Sequence, residues 1–491
     1  MHKRILTIGI LFLLMFSIII PISIGNNVTI SNTKDKLSNP LNRGNILYVG
    51  GSGLGNYSSI QDAIDNASSG DTVFVYDDSS PYKENLLIGK TIDLIGENKE
   101  TTLIEGNDDT DVIKISAEGT QVSGFSIRTT GVELDYSGIN IYSNHTLISG
   151  NIIFDNGWGV KIYKNSYNQI IGNIFLNNNC GLYLRKGNNA IKNNQFFNDG
   201  ISLHAIENII ENNTVNYKPI LYLENQNNQI IDYECGQIIL VNCNYMTVQN
   251  QRISKTQTGI MLYKCSNCKI IRNDVFESKT GIIVFEGFYN NLTHNDLFKN
   301  KNFGIGLYSS DYNIIQHNKL SKHTQGKYSY YGLYMEGCNN NTIWKNVVDR
   351  NNIGIKCSAS DDNIISENYV KYNFFVGIKL SYNSLNNIIT NNIIQDSNLG
   401  IFLEEVSFNK ITKNNFFEND DDLIIEAIQY YSLRLKKLPY VSGNYWGRSR
   451  ILPKFVRGKF TYIWMDVPWG GSIILNWIYI DWRPAKEPYD I

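Results

Sequence analysis

Proline is scarce in this chain, and charged residues are few. Nine of the 491 residues are proline, 18% are charged, and the formal net charge is -2. Disordered chains are typically rich in Pro, Glu, Ser and Lys and poor in β-branched residues, so this Asn- and Ile-rich composition argues against disorder. A nearly neutral chain also creates no long-range electrostatic field. Neither nucleic acid nor an anionic membrane surface is therefore an expected partner.

Residues 1–25 have the layout of a secretory signal. Lys3 and Arg4 precede an almost unbroken apolar run from Ile5 to Ile24, and Gly25 follows as a small residue. An apolar segment of about 20 residues is also long enough to span a bilayer as an uncleaved anchor, so both interpretations stay open. In either case we expect residues 26–44 to be a linker and the rest of the chain to be extracellular or at the cell surface, with membrane contact only through this segment.

The chain contains an internal repeat in which a glycine is followed by alternating apolar residues. Most steps are about 22 residues long, and such periods are typical of solenoids. The repeat glycines are Gly138, Gly159, Gly181, Gly200, Gly259, Gly281, Gly304, Gly332, Gly354, Gly377 and Gly400. With each glycine numbered zero, positions one and three are inward-facing candidates, such as Ile260 and Leu262, because residues two apart on a strand share a face.

Positions eleven and sixteen of the repeat form two more apolar columns. Their members are Ile270, Leu292, Ile315, Ile343, Ile365, Ile388 and Ile411, then Val275, Leu297, Leu320, Val348, Val370, Ile393 and Phe416. No helical period of 3.6 fits such a repeat, whereas short β-branched strands separated by Asn and Gly do. The pattern predicts an all-β fold, a single-stranded right-handed parallel β-helix with capped ends. About fifteen rungs, each one turn of the coil, would make a rod roughly 70 Å long.

Asparagine occupies two polar columns of the same repeat. Position fourteen holds Asn273, Asn295, Asn318, Asn346, Asn368, Asn391 and Asn414, and position nine holds Asn290, Asn313, Asn341, Asn363, Asn386 and Asn409. Asparagine tolerates the left-handed conformation of a sharp corner, and stacked amides can hydrogen-bond along the axis. We interpret these columns as structural ladders rather than functional sites.

Two irregularities interrupt the repeat. No glycine marks a rung between Gly200 and Gly259, but the apolar segments 220–222 and 238–240 predict that the coil continues through this region. An insertion lies around His323 to Tyr331. Insertions in solenoids project as loops from one face, which is often the binding face.

Both ends of the repeat region have features of caps, which a solenoid needs to cover its open core. Residues 45–136 are predicted to form an N-terminal cap and the first rungs, with an amphipathic helix from Ser59 to Ala67 and a strand from Thr72 to Tyr76. Residues 137–422 hold the repeats. Residues 423–491 form an aromatic-rich C-terminal cap, in which Leu423 to Leu435 is a helix or a strand.

The sequence resembles a known family at both ends. SIQDAIDNASSGDTVFV (residues 59–75) and PYKENLLIGKTIDLIG (81–96) are similar to the first rungs of exported β-helix proteins of the NosD-like (periplasmic copper-binding) and carbohydrate-binding/sugar-hydrolase type. GNYWG (443–447) resembles the closing motif of archaeal members. The resemblance covers about residues 45–450 and implies a pectin-lyase-like fold. It implies no single activity, because such repeats host many functions.

Cysteines are the best candidates for metal chemistry. Copper sites need clustered Cys, Met or His, but the methionines and histidines are spread along the chain. Cys243 and Cys265 occupy the same column on adjacent rungs, and Cys265 and Cys268 form a CxxC motif. Adjacent rungs place Cα atoms about 5 Å apart, so a Cys243–Cys265 disulfide or free packed thiols are favoured over a metal site formed by the three. No cofactor is expected.

Catalytic residues for sugar cleavage are not evident. Hydrolases and lyases need two or three carboxylates, or a calcium site with a basic residue, on one face. No outward column of Asp or Glu meets that requirement, so a polysaccharide lyase or glycoside hydrolase stays an alternative without assigned catalytic residues.

An outward aromatic column suggests carbohydrate binding instead. Position four holds Tyr142, Tyr163, Tyr263, Phe285 and Tyr308, and Tyr334 and Phe402 at position two would extend the patch. Exposed rings at rung spacing can stack on successive sugars, although the same rings could simply stabilise the sheet. The leading hypothesis is a non-catalytic protein that binds a polysaccharide or cell-surface glycan, or forms part of a surface layer. A NosD-like copper-handling role is the second alternative.

Overall fold

The computed structural model describes residues 44–107, 110–131, 136–323, 330–430, 439–450, 452–464 and 471–491. The predicted signal or anchor segment and residues 26–43 of the predicted linker lie outside this part of the chain. Within it the fold is all-β with a single short helix, and the predicted parallel β-helix is confirmed, with about 17 turns. No helix among the described residues is long and apolar enough to cross a membrane.

The rungs form two stacks that follow each other along the chain. The first contains α1 (Ile60–Asn66) and β1 (Ile46–Val49), β2 (Thr72–Val75), β3 (Leu86–Ile88), β4 (Asp93–Gly96), β5 (Leu103–Gly106), β6 (Ile113–Ile115), β7 (Gln121–Ser123), β8 (Ser126–Thr129), β9 (Ser137–Ile141), β10 (Leu147–Ser149), β11 (Ile152–Phe154), β12 (Trp158–Ile162), β13 (Gln169–Ile171), β14 (Ile174–Leu176), β15 (Cys180–Leu184), β16 (Ala190–Lys192), β17 (Gln195–Phe197), β18 (Ile201–Leu203), β19 (Ile209–Glu211) and β20 (Thr214–Val215).

The second stack contains β21 (Lys218–Glu224), β22 (Ile230–Ile231), β23 (Gln237–Val241), β24 (Thr247–Gln249), β25 (Arg252–Ser254), β26 (Thr258–Tyr263), β27 (Lys269–Ile271), β28 (Asp274–Phe276), β29 (Thr280–Phe285), β30 (Asn291–Thr293), β31 (Asp296–Phe298), β32 (Phe303–Tyr308), β33 (Ile314–Gln316), β34 (Lys319–Ser321), β35 (Tyr331–Glu336), β36 (Thr342–Trp344), β37 (Val347–Asp349), β38 (Ile353–Ser358), β39 (Ile364–Ser366), β40 (Tyr369–Lys371), β41 (Val376–Ser381), β42 (Ile388–Thr390), β43 (Ile393–Gln395), β44 (Leu399–Glu404), β45 (Lys410–Thr412), β46 (Asn415–Phe417), β47 (Asp421–Tyr430), β48 (Tyr440–Ser442), β49 (Tyr445–Trp446), β50 (Lys454–Trp464) and β51 (Gly471–Asp481).

Each stack has three parallel sheets, because every rung contributes up to three strands. The sheet that carries the candidate site, here called the long sheet, contains β21, β23, β26, β29, β32, β35, β38, β41, β44, β47 and β50, with β51 added antiparallel at its end. Its inward side chains, such as Ile260 and Leu262, are fully buried, as their positions in the repeat predict. These apolar columns form the core of the second stack.

The coil does not continue unbroken between the stacks, which corrects the expectation from the sequence. The strands predicted around residues 220–222 and 238–240 exist as β21 and β23, but β20 pairs with β21 antiparallel, with Val215 opposite Lys218. Asn216 and Tyr217 turn the chain with φ angles of 48° and 68°. Two residues at positive φ are typical of a tight hairpin turn whose twist matches the flanking strands. The rungs therefore do not build one continuous rod.

The end of the first stack packs against the outer face of the long sheet. Ile239, Met261 and Ile283 point away from the second core, and they join the apolar cluster of the first stack instead. The Gln237 side chain accepts a hydrogen bond from the backbone N–H of Ile201 (3.0 Å) and donates one to its carbonyl (2.7 Å). We call this junction the elbow. Here the face of a sheet covers the open core that a solenoid end would otherwise expose.

Asparagine ladders run along the corners of both stacks. In each step an amide oxygen accepts the backbone N–H of the preceding rung, as Asn318 does for Asn295 at 3.0 Å, and the amide nitrogen donates to a carbonyl of that same preceding rung, here Leu292 at 2.8 Å. The ladder of position fourteen contains Asn273, Asn295, Asn318, Asn346, Asn368, Asn392, Asn414 and Asn444. These amides satisfy backbone groups that the corners would otherwise bury unpaired.

The assignment of Asn391 to this ladder is wrong by one residue. Asn392 accepts from the backbone N–H of Asn368. Asn391 is the residue just before it and has a φ of 54°. The slip arises because Tyr382 and Asn383 fill a corner where the preceding rung has only Ala359, and both have positive φ. The same shift places Ile389, Ile394 and Asn387 in the columns for which spacing predicts Ile388, Ile393 and Asn386.

The two ends of the described coil carry different packed elements. The helix Ile60–Asn66 buries Ile60, Ala63 and Ile64, and the Ser59 side chain caps its N-terminus. At the other end, the segment from residue 423 is part of the strand Asp421–Tyr430, and residues 431–438 lie outside the described residues. Within GNYWG, Asn444 ends the asparagine ladder and Trp446 stacks on Phe416 at 4.7 Å.

A buried carboxylate holds the closing motif in place. Asp481 accepts hydrogen bonds from the backbone N–H groups of Gly443 and Asn444 and from the Trp446 indole, all at 3.1 Å. Asp481 is fully buried, so these donors replace the water that its charge loses. The motif that suggested a family resemblance is thus the lid on the last rung.

Candidate functional site

The predicted aromatic column is divided between the two stacks. Tyr142 and Tyr163 lie on the first stack and are 50% and 42% exposed. Tyr263, Phe285 and Tyr308 lie on the outer face of the long sheet, where they pack partly against the core of the first stack. Arg185 and His204 of the first stack lie between the two groups: Arg185 is 4.9 Å from the Tyr163 ring centroid, and the His204 ring is 4.6 Å from that of Phe285.

Contacts at the elbow also occupy part of the second group. The Phe285 ring lies edge-on to His204 of the first stack, with centroids 4.6 Å apart, and it stacks on Tyr308 at 4.9 Å. Burial, followed by the charge of Arg185, lowers the pKa of His204 to about 4. The imidazole is therefore neutral at physiological pH and contributes packing here.

Beyond the elbow, three rings form a cluster that we call the aromatic platform: Phe303, Tyr331 and Tyr334. Phe303 stacks on Tyr331 at 5.7 Å and on Tyr334 at 5.4 Å, with interplanar angles of 19° and 16°, and the two tyrosines lie 4.9 Å apart. Phe303 and Tyr331 are register partners on adjacent strands, and Gly306 lies opposite Tyr334. Because Gly306 has no side chain, the rings share the space above that position.

Lysines extend the platform on the following rungs. Lys356 Nζ lies 5.3 Å from the ring centroid of Tyr331 and 5.4 Å from that of Tyr334, distances typical of cation–π contacts. Lys379 is the register partner of Lys356 and lies 4.8 Å from the ring of Phe402. Lys379 pairs with Glu404 at 2.9 Å, whereas Lys356 forms no ion pair within the described part of the chain.

The environment of Lys356 is unfavourable for its own charge. Burial, followed by the nearby charge of Lys379, lowers the pKa of its ammonium group. The Tyr334 hydroxyl donates to Glu336 at 2.9 Å, and burial together with that carboxylate raises the pKa of the phenol. Glu404 and Glu336 favour the charge of Lys356 from a distance, so the site offers stacked rings, an ammonium group without a direct ion pair and a carboxylate acceptor.

The structure also places two carboxylates together that sequence analysis does not group. Glu404 and Glu426 are register partners on adjacent strands, which lie about 4.8 Å apart. Each has its own lysine, Lys379 at 2.9 Å and Lys459 at 3.8 Å. The two carboxyl groups of a glycosidase flank the scissile bond, whereas each of these carboxylates is paired with its own lysine.

The seven cysteines are all described, and each is a free, buried thiol, so the Cys243–Cys265 disulfide is not formed in this structure. Cys265 Sγ accepts the backbone N–H of Cys243 at 3.4 Å, as Ser360 Oγ accepts that of Cys338 at 3.1 Å. Cys268 donates to the carbonyl of Cys243, which is the role that asparagine has on later rungs. The trio therefore occupies positions of the corner ladders.

Proton sharing links these three thiols. The neighbouring thiols of Cys243 and Cys268, followed by burial, raise the pKa of Cys265, and the hydrogen bond with Cys265 lowers the pKa of Cys243 to about 7. No group of three His, Cys, Asp or Glu side chains arranged to hold a metal ion is present among the described residues. His294 and His317 stack at 5.0 Å, and the Trp344 ring lies edge-on to His317.

Comparison with known proteins places the fold in a family. The profile described as "Periplasmic copper-binding protein (NosD)" matches residues 64–232, 219–374 and 324–450. The chain belongs to the NosD family. The matched segments cover both stacks, so the family pattern includes the rungs on either side of the elbow. A comparison with curated proteins gave no match.

Solved structures similar to this NosD-family chain include several β-helix proteins. The periplasmic alginate epimerase AlgG is 14% identical over 69% of this chain and 76% of its own, with a TM-score of 0.28. An alginate lyase from Paenibacillus sp. str. FPU-7 is 13% identical over 60% of this chain and 99% of its own, with a TM-score of 0.29. DFA-IIIase from Arthrobacter chlorophenolicus A6 is 10% identical over 74% and 84%, with a TM-score of 0.34. At these values the similarity carries no argument about activity.

Sequence analysis of this NosD-family chain identifies only part of the platform. Tyr334 and Phe402 are singled out at position two, but Phe303, Tyr331 and Lys356 are not. The missed signal is the residue just before each repeat glycine, which is aromatic at Phe303 and Tyr331, whereas the other glycine-marked rungs of the second stack have Thr, Ile, Val or Leu there. That residue points outward beside position two, and the two positions together build the cluster.

Proposed function

We propose that this NosD-family protein is an exported, non-catalytic carbohydrate-binding protein, and that the aromatic platform is its binding site. The observation that carries the proposal is Lys356, a partly buried ammonium group over two tyrosine rings that forms no ion pair with a described carboxylate, although Glu336 and Glu404 act on its charge from farther away. Leaving such a group unpaired is unfavourable, so its presence supports a ligand that supplies the missing acceptors. Sugar hydroxyl or carboxylate oxygens are such acceptors.

The rings favour a sugar over a purely polar ligand. A sugar ring has an apolar C–H face that can stack on an aromatic ring while its hydroxyls reach neighbouring polar groups. Phe303 and the two tyrosines supply the apolar surface, and Lys356 and Glu336 lie beside it as a donor and an acceptor. A self-stabilising aromatic ladder would need neither charge, so the mixed composition favours binding.

The paired carboxylates favour binding over cleavage in this proposal. Glu404 is paired with Lys379, and Glu426 is paired with Lys459. The family description concerns copper, but the thiols of the Cys243 trio are used as hydrogen-bonding corner residues with no face open to solvent. That arrangement fits a ladder better than a metal centre, so we derive no step through copper.

The experiment mixes the chain from residue 44 onward with each of a panel of soluble neutral and uronate polysaccharides. Size-exclusion chromatography then measures whether protein and polymer elute together and whether the polymer changes in size. We expect co-elution with at least one polymer and no change in polymer size. The double variant Tyr331→Ala/Tyr334→Ala should lose retention. Tyr142→Ala/Tyr163→Ala is the matched control, because it removes two exposed tyrosine rings from the first stack, and it should bind normally.

Each outcome of this screen decides the proposal. Shortened polymer would overturn the non-catalytic assignment and direct attention to Glu404 and Glu426. Equal loss in both double variants, or no retention of any polymer, would show that the platform is a packing feature of the sheet. Far-ultraviolet circular dichroism of each variant establishes that the fold is retained.

A further inference from the structure

A cationic cleft lies at the elbow, apart from the aromatic platform. Its volume is about 700 Å³, and the second stack lines it with Lys255, Glu277, Lys299, Lys301, Lys322 and Arg350. Two exposed asparagines, Asn177 and Asn198, close it from the first stack. Side chains of both stacks line the cleft, so it lies at their junction.

Three of these cations form a row along successive rungs, here called the cation row: Lys299, Lys322 and Arg350. All three occupy the same left-handed corner, with φ angles of 56°, 60° and 54°. The backbone N–H of Lys299 bonds to the next rung at Ser321, and that of Lys322 bonds to Asp349. Since adjacent rungs lie about 4.8 Å apart, the row spans roughly 10 Å in a straight line.

The row departs from the charge pattern of other corners. Lys264 pairs with Glu286 on the next rung at 3.7 Å, and Lys345 pairs with Glu367 at 3.5 Å. Opposite charges on neighbouring strands stabilise a sheet, and like charges destabilise it. Three successive cations are thus an unfavourable choice for stability alone, which indicates another use.

Few carboxylates compensate the cleft. Glu277 lies 3.8 Å from Lys299, and Asp349 lies 2.7 Å from Arg350, while Lys322 has no ion-pair partner within the described residues. At the edge of the cleft, the buried Lys279 donates to the carbonyl of Asn179 at 3.4 Å. Burial, with a further contribution from Lys301, lowers the pKa of Lys279, so Lys301 adds positive potential near this contact.

The shape and composition of the cleft limit the ligand. A single small anion would need converging donors, but these cations are spread along a line. Proteins that bind single-stranded nucleic acid add aromatic rings for base stacking, whereas none of the described residues that line this cleft is aromatic, and the Tyr372 ring beside it is already engaged by Arg350 at 5.1 Å. We propose that the cleft binds a linear polyanionic polysaccharide with a carboxylate on successive sugars, which lies along the cation row. This site does not depend on sugar binding at the aromatic platform.

The test measures binding of fluorescently labelled polygalacturonate to the chain from residue 44 onward by fluorescence anisotropy. Neutral dextran of the same size, inorganic phosphate and single-stranded DNA serve as competitors. We expect polygalacturonate to bind and the affinity to fall as salt is raised, because ion release drives such binding. Dextran and phosphate should not compete.

Variants locate the site. Lys299→Ala/Lys322→Ala/Arg350→Ala should weaken binding by at least about tenfold, since three exposed ion-pair contacts are lost. The matched control Lys264→Ala/Lys319→Ala/Lys345→Ala removes the same net charge from corners and strands outside the cleft, and it should bind within about twofold of the unmodified chain.

The outcomes separate this proposal from the previous one. Equal weakening of polygalacturonate binding in both triple variants would show that binding depends only on net charge, and it would overturn the proposal. The proposal would also be overturned if Tyr331→Ala/Tyr334→Ala lost binding while the cation-row variant bound fully. That result would show that the polygalacturonate binds at the aromatic platform. Stronger competition by DNA than by unlabelled polygalacturonate would replace the polysaccharide with nucleic acid.

Discussion

Asp199 takes the place of an asparagine in a corner ladder of the first stack, and replacing it with asparagine should make the protein more stable at alkaline pH. Its Oδ2 accepts from the backbone N–H of Asn178 at 3.0 Å and from the Asn178 amide at 2.8 Å. Its Oδ1 is buried without a partner. In the ladder steps before it, the corresponding amide nitrogen donates to a strand carbonyl, as Asn178 does to Ile153 at 2.9 Å.

A carboxylate cannot make that donation unless it is protonated. Burial, which outweighs the two hydrogen bonds from Asn178, raises the pKa of Asp199 from 3.8 to about 8. The unfolded chain releases this proton above about pH 4, while the folded chain keeps it until about pH 8, so the contribution to stability is complete at low pH and is lost as pH rises through that window. At about 1.4 kcal/mol per pKa unit, the upper limit of the loss is roughly 6 kcal/mol.

The assay is urea unfolding of the unmodified chain and Asp199→Asn at several pH values between about pH 5 and pH 9. The variant donates at every pH, so its advantage in unfolding free energy should grow as pH rises. Asp274→Asn, which changes an exposed carboxylate paired with Arg252 at 3.5 Å, is the control and should show no such growth. An advantage that is constant with pH, or that shrinks, would refute the reasoning.

Three further changes test the corners and the cap. Asn392→Ala leaves the backbone N–H of Asn368 unpaired and should lower the free energy of unfolding by about 2–4 kcal/mol. Asn391→Gly, at a positive φ outside the ladder, should change it by less than about 1 kcal/mol. Equal effects of the two variants in urea unfolding would contradict the corrected register. Cys265→Ser keeps a hydrogen-bond acceptor at its corner. A reductant should therefore shift the unfolding midpoint of the unmodified chain no more than that of the variant. A larger shift in the unmodified chain would indicate a disulfide. Asp481→Ala removes the acceptor of four donors and should lower the free energy of unfolding by about 3–5 kcal/mol while leaving hydrogen-exchange protection in the first stack intact. Unchanged exchange at the last rung would contradict the role of Asp481 in holding the closing motif.

Burial on one face made the fold predictable. A strand with a buried face must alternate with a period of two, so the inward columns, such as that of Ile260 and Leu262, could be read from spacing alone. Assigning positions by counting residues from each repeat glycine gave the wrong columns where a corner gained a residue, as at Tyr382 and Asn383. Corners are exposed and tolerate insertion, so no hydrophobic signal marks the change, and every later position in that rung shifts by one.

The elbow and the candidate sites were harder to predict. The hairpin at Asn216 and Tyr217 lacks the glycine that usually marks a two-residue turn, and its neighbouring strands keep the apolar pattern of ordinary rungs. The platform combines position two with the residue before the glycine, and such pairing depends on how side chains lean on a twisted sheet. The cation row was hidden because acidic residues elsewhere on the chain bring the net charge to -2.

The elbow also determines where this protein can lengthen by duplication. A copied rung of the second stack placed after Gly354 would meet only its two neighbours, because contacts in a solenoid are local, and it would extend the outer face that carries Lys356 and Lys379. A copied rung placed between residues 200 and 284 would move Gln237 and Phe285 away from the first stack and expose its core. Variation in rung number among relatives should therefore be confined to the parts of each stack that lie away from the junction, and the junction itself should keep a constant length.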